Sequence, residues 1–141
     1  MKLVTKDIHY AIKSLLYFAQ STDKVITVGE LVKKLNMRRP FLRRILQTLS
    51  KRKILRSQKG YRGGFVLNMK PDKIRIIDIL NIFHGDSDII GCLLEKDICP
   101  YPARCLLMRK INGIEIQLNN DLTQLTVKKI LATIGSQGEK K

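Results

Sequence analysis

From Leu31 to Pro71 the chain places thirteen lysines and arginines without one aspartate or glutamate. A folded domain cannot bury that many uncompensated charges, so this stretch must turn its cations outward while its apolar residues pack inward. The spacing allows this. Phe41, Leu42, Ile45, Leu46 and Leu49 follow the three-four periodicity of one buried helical face, while Arg39, Arg43 and Gln47 recur at i, i+4, i+8 on another, flanked by Arg44. The excess is local: residues 1–84 carry 19 Lys+Arg against 5 Asp+Glu, and residues 85–141 carry 8 against 7. A cationic footprint confined to one part of a molecule repels itself unless a polyanion meets it, and nucleic acid is the partner it implies.

Around that helix the sequence spells a short programme. Ile8, Ala11, Ile12, Leu15, Leu16 and Ala19 make a core-facing helix. Thr27-Val28-Gly29-Glu30 reads as a capping box, in which the threonine oxygen accepts from the third helical amide and the glutamate reaches back. It opens a second helix bearing Val28, Leu31, Val32 and Leu35, with Asn36 as its stop. Pro40 suits the first turn of the basic helix, where its missing amide hydrogen costs nothing. Short helix, turn, basic helix is the order of a helix-turn-helix whose second helix enters a major groove. Two extended runs follow, Ile54–Ser57 and Phe65–Leu67, joined by the glycine-rich, charged connector 58–64; they predict a hairpin wing with a basic tip. The residues expected to touch DNA are Arg38, Arg39, Pro40, Arg43, Arg44 and Gln47 from the helix, and Lys59, Tyr61, Arg62 and Gly63 from the wing. At least one of Arg39 and Arg43 is expected to read a base, and the wing to position rather than specify.

Beyond the wing, Ile76 to Phe83 predicts a short helix closed by Gly85, and residues 85–101 a loop. Ala103, Leu107, Ile111, Ile114 and Leu118 then form the stripe of a helix of roughly sixteen residues. Gly113 weakens that helix by about 1 kcal/mol relative to alanine. Such a face needs a partner, and a second copy of the same helix is the common solution. Thr126 caps a last short helix with Val127, Ile130, Leu131 and Ile134, and residues 136–141 are expected to be disordered. No apolar run approaches the roughly eighteen residues needed to cross a bilayer, and the amino terminus lacks a signal-peptide core, so a cytoplasmic protein with no membrane partner is expected. The fold class is therefore mainly α: a winged helix-turn-helix over 1–84, a cysteine loop over 85–101, and a dimerisation helix with a terminal helix over 102–135.

The cysteines in that loop carry the second chemical signal. Cys92, Cys99 and Cys105 lie within fourteen residues. An odd number argues against a closed set of disulfides, and clustered thiols in a reducing compartment bind metal or respond to oxidation. Zinc is one occupant that three cysteines and a histidine could hold, although the Cys-x2–4-Cys pairs of zinc ribbons are missing.

In order along nearly the whole chain, these segments resemble the winged-helix bacterial regulators of the Rrf2 family, which includes IscR-like and NsrR-like members. The resemblance rests on Met-Lys-Leu with Tyr10-Ala11, the capped helix-turn-helix, Leu-Arg-Ser before the wing, and Gly-Gly-Phe-Val-Leu after it. Ile-Ile-Asp-Ile-Leu, the three-cysteine loop and the long last helix follow. It implies a homodimeric transcriptional regulator, with repression the expected mode, bound to a near-palindromic operator in double-stranded DNA. It also implies that Cys92, Cys99 and Cys105 hold an iron–sulfur cluster (2Fe-2S or 4Fe-4S) through which redox, nitric oxide or iron–sulfur status is sensed. The pattern Cys-x6-Cys-x5-Cys has a first gap one residue longer than is common in the family. The histidine that IscR-like members carry three residues after the last cysteine is Met108 here. Aligned on Tyr10-Ala11, the trans acidic ligand of NsrR-like members falls on His9, with Asp7 nearby. His9 from the second subunit is thus the expected fourth ligand, with Asp7 in reserve and a non-ligating surface His9 the alternative. A cluster-free thiol- or zinc-responsive regulator on the same scaffold is the other reading. An enzyme is not expected: the chain shows no paired carboxylates, no nucleophile beside a base and no glycine loop cradling phosphate before a helix.

Overall fold

The first helix begins earlier than its apolar stripe, because Thr5 caps it: its side-chain oxygen accepts from the amide of Ile8 at 3.4 Å. In the computed structural model, which describes residues 4–21, 24–60, 63–84 and 106–137, this helix, α1, spans Lys6–Gln20 and buries Ile8, Ala11, Leu15, Phe18 and Ala19. Ser14, on the same buried face, is satisfied by donating to the carbonyl of Tyr10 at 2.8 Å.

Helix α2 (Val28–Leu35) starts at Thr27, whose oxygen accepts from the Glu30 amide at 3.1 Å. The reciprocal half of the expected capping box is absent. Instead of turning back, the Glu30 carboxylate accepts from the Tyr17 hydroxyl at 2.7 Å and lies 3.8 Å from Lys24 Nζ. A hydroxyl donating to a carboxylate is a strong charge-assisted bond, and here it straps α2 to α1. Asn36, at φ 52°, ends α2 in the left-handed conformation that asparagine tolerates. Helix α3 (Arg39–Lys51) follows with proline in its first turn and buries Leu42, Ile45, Leu46 and Leu49. Phe41, expected in that buried stripe, is only half-buried: its ring meets Tyr10 of α1 edge-on with centroids 5.6 Å apart.

Strands β1 (Leu55–Gln58) and β2 (Gly64–Leu67) pair antiparallel, with Leu55 opposite Leu67 and Ser57 opposite Phe65. Ile26, just ahead of α2, adds a bridge to the far side of β2, exchanging both 2.9 Å amide–carbonyl bonds with Phe65. This close approach explains the paired glycines at the wing's return. A Cβ at Gly64 would stand 2.5 Å from the Ile26 carbonyl oxygen, and one at Gly63 would stand 2.5 Å from that of Gln58. The wing is thereby fastened to the residue that introduces the helix-turn-helix.

A single turn of 3-10 helix at Pro71–Lys73 leads into α4 (Ile76–His84). Helix α5 (Leu106–Gln124) runs unbroken through Gly113, and α6 (Val127–Gln137) starts at Thr126, whose oxygen accepts from the Lys129 amide at 3.2 Å. α6 continues into the segment expected to fray. Amide–carbonyl bonds of 2.9 Å from Ile76 to Leu125 and from Val127 to Ile74 clasp the starts of α4 and α6 together. Helix α1 is the hub, packing on α2, α3, α4, α6 and β2. Ile8, Leu15, Phe18, Ile26, Leu31, Leu42, Leu46, Leu49, Ile74, Ile79 and Val127 form one continuous core. Each such side chain contributes about 1.5–3 kcal/mol by burial, against about 0–1 kcal/mol for an exposed ion pair. The core, not the surface charge, fixes where α3 stands. The mainly α winged architecture expected from the sequence is the architecture found.

Candidate nucleic-acid interface

Helix α3 and the wing enclose a concavity of about 790 Å³. Its α3 wall is Arg39, Arg43, Gln47, Ser50 and Lys51; its wing wall is Ser57, Gln58, Lys59, Gly63, Gly64 and Phe65; Thr27, Val28 and Gly29 at the start of α2 close one end. Four of these residues form an i, i+4 ladder, Arg39, Arg43, Gln47 and Lys51, which the helix aligns along one edge. No acidic side chain among the described residues lines it. Among the described residues, the only cation of the 31–71 block with an acidic partner is Arg44. The rest of the positive field is left for solvent or a ligand.

The expected contact residues divide on inspection. Arg39, Arg43, Gln47, Lys59 and Gly63 line the concavity together. Arg38 and Pro40 are exposed at the start of α3 without lining it. Arg44 turns the other way, with its Nη2 3.4 Å from Asp7 Oδ1 on α1 and its guanidinium 5.2 Å above the Phe41 ring. Tyr61 and Arg62 lie outside the described residues. Lys51, Ser57 and Gln58 were missed. Lys51 was within reach, since it extends the 39/43/47 ladder by one more turn; Ser57 ends the expected strand run, and Gln58 joins it because β1 reaches one residue further.

Of the expected metal ligands, Cys92, Cys99 and Cys105 lie outside the described residues, as do Gly85, Ala103 and the rest of the 85–101 loop. His9 is exposed on the first turns of α1, its ring edge-on to Tyr10 at 5.5 Å. Asp7 is engaged with Arg44. Among the described residues no group of three histidine, cysteine or acidic side chains stands ready for a metal ion, and no helix among them is long and apolar enough to cross a membrane.

Helix α5 presents the other uncovered surface. Leu106, Leu107, Ile114 and Ile116 are 68%, 56%, 62% and 63% exposed. Ile111 and Leu118 of the predicted stripe are half-buried.

Comparison with known proteins bears on this arrangement. The family model described as Rrf2, iron-dependent transcriptional regulator, matches residues 4–133. A protein of Aquifex aeolicus (strain VF5) described as an HTH-type transcriptional regulator is 34% identical over 126 residues, covering 88% of each chain. One of Synechocystis, similarly described, is 33% identical over 103 residues, covering 72% of this chain and 62% of its own. The fold is shared with T. potens IscR (TM-score 0.74, 18% identity, 95% of this chain and 88% of that one). It is shared equally with CymR, the global cysteine regulator of B. subtilis (TM-score 0.72, 19% identity, 94% and 98%). A basic helix-turn-helix with a fastened wing, matched along almost its entire length, places the chain in the Rrf2 family of transcriptional regulators, which are DNA-binding proteins and not enzymes.

Proposed function

We propose that this protein is a homodimeric regulator that grips a near-palindromic duplex with the α3–wing concavity and senses redox, nitric oxide or iron–sulfur status through an iron–sulfur cluster. The observation that carries the DNA half is the concavity itself: cationic on both walls, free of acids, and set by the core at the edge where α3 is exposed. The dimer half rests on α5. Leu107, Ile111, Ile114 and Leu118 alternate by four, three and four residues, the seam spacing of paired helices, and Leu107 and Ile114 are uncovered. A second α5 would cover them and set two α3 helices on successive half-sites.

The donor chemistry suits a cluster. Cys92, Cys99 and Cys105 would supply three thiolates, and His9 of the partner subunit an exposed imidazole, a ligand type compatible with such clusters. Asp7 is the weaker candidate because Arg44 already holds it. A cluster so held would supply an oxidant- and nitric-oxide-sensitive bond between the cysteine loop and α1. Helix α1 then carries any displacement onward, since Tyr10 packs on Phe41 and Asp7 pairs with Arg44, both on α3. A duplex reader that must meet two half-sites at once loses much of its affinity from a small change in their separation.

A second reading, a thiol- or zinc-responsive regulator without a cluster, is favoured by the equal likeness to a cysteine regulator. Oxygen-free purification followed by absorption spectroscopy with iron, sulfide and zinc analysis separates the two. The cluster reading expects colour, with iron and sulfide in similar amounts. It further expects loss of that colour in Cys99→Ser and a shifted or less stable spectrum in His9→Ala. Colourless protein containing zinc or no metal overturns it, and an unchanged His9→Ala spectrum removes the trans histidine.

A further inference from the structure

The polar side chains of α3 are not equivalent, and their surroundings sort them. Successive residues advance by about 100°, so around the helix Arg43 and Gln47 fall between Arg39 at one margin of this polar set and Arg44 at the other. Each marginal arginine is engaged by a neighbouring element. Arg39 lies against the first turn of α2: a Cβ placed on Gly29 would come within 3.2 Å of its Nη2. Arg44 is drawn to α1 by Asp7 at 3.4 Å and by the Phe41 ring. Arg43 and Gln47 are both exposed, line the concavity and make no side-chain hydrogen bond or ion pair among the described residues.

Resting on the DNA-binding reading above, we propose that sequence discrimination is carried by the Arg43–Gln47 pair, while Arg39 serves phosphates and Arg44, turned to Asp7, serves neither. The chemistry of the two readers then names what they read. A guanidinium fork matches the O6 and N7 acceptors of guanine, and a carboxamide matches the N6 donor and N7 acceptor of adenine. Four residues of helix rise about 6 Å, against about 3.4 Å per base step, so the two reach pairs one or two steps apart. Each half-site should therefore contain a guanine and an adenine at that separation. Gly29 is a positioning residue: a larger side chain there displaces Arg39 from α2 and disturbs affinity without altering the sequence preferred.

Selection of the oxygen-free purified protein on a random-sequence duplex pool tests this. Wild type should enrich a two-fold symmetric motif with a guanine column and an adenine column one or two pairs apart. Arg43→Ala should flatten the guanine column alone, and Gln47→Ala the adenine column alone, each by roughly ten- to a hundredfold in discrimination. Gln47→Glu should move its column toward cytosine, whose N4 amino group donates to a carboxylate. Arg39→Ala should keep the motif, weaken binding evenly and reduce the log–log salt slope by about 1.8, for two phosphates per dimer, and Arg44→Ala should leave both motif and slope unchanged. Thermal melting confirms that these exposed changes leave the fold intact. A column lost with Arg39 or Arg44 but kept without Arg43 and Gln47 overturns the assignment while leaving DNA binding standing. Failure of wild type to enrich any sequence overturns the DNA-binding reading, and the assignment with it.

Discussion

Lys53 holds a left-handed backbone, φ 64°, between α3 and β1. Its neighbours over-determine that conformation: its amide donates to Ser50, its carbonyl accepts from the Asn68 side chain at 2.8 Å, and Ile54 donates to Leu49. A Cβ in this region is unfavourable, and glycine removes the clash at some cost in unfolded-chain entropy. Lys53→Gly should therefore raise stability by about 0.5–1 kcal/mol, read as a rise of a few degrees in Tm. Tyr17 shows a different residue-scale effect. Its hydrogen bond to Glu30, then desolvation and the negative charge of that carboxylate, hold its hydroxyl above the ordinary tyrosine value. Because the folded value is the higher one, the strap between α1 and α2 is fully present below the ordinary value and is lost as pH climbs through the raised one. Thermal melts across the alkaline range should show wild-type stability falling there, and Tyr17→Phe should flatten that decline. An identical decline in both proteins would mean that the strap contributes nothing.

Elements were legible where their signal was local. The α3 stripe, the Thr27 cap, the Asn36 stop and the two wing strands each follow from residues a few positions apart, and the structure places them accordingly. What escaped depends on distant partners. Glu30 leaves its capping box because Tyr17, thirteen residues earlier, offers a better donor. Arg44 leaves the basic face because α1 brings Asp7 beside it from 37 residues away. Periodicity assigned Arg39, Arg43 and Arg44 to one face, and only packing against α1 and α2 separates them. For α5 the stripe and its need of a cover were readable, but not that Ile111 and Leu118 are half-buried while Leu106 and Ile116 stand exposed beside it. If a second copy covers Leu107 and Ile114, replacing both by glutamate should convert a dimer to a monomer. Light scattering after gel filtration would show this as a halved mass, with operator affinity falling at least about a hundredfold through loss of the second half-site. A dimer persisting in that variant would place the interface elsewhere.

At the scale of the whole molecule the charge asymmetry becomes function. A core built around α1 holds the exposed edge of α3 beside a wing fastened by Ile26 and Gly64, so that Arg39, Arg43, Lys51 and Lys59 converge on one concavity. Such a surface binds a duplex by releasing the counterions condensed on its phosphates, and that release fixes how affinity depends on salt. The most direct test is the affinity of the oxygen-free purified protein for duplex DNA, followed by fluorescence anisotropy from roughly 50 to 200 mM salt. For a dimer neutralising about six to ten phosphates, log affinity should fall against log salt with a slope of roughly −5 to −9. Combined Arg39→Ala and Lys51→Ala should make that slope shallower. A slope near zero, unchanged in the double variant, would contradict the α3–wing concavity as the surface that holds DNA.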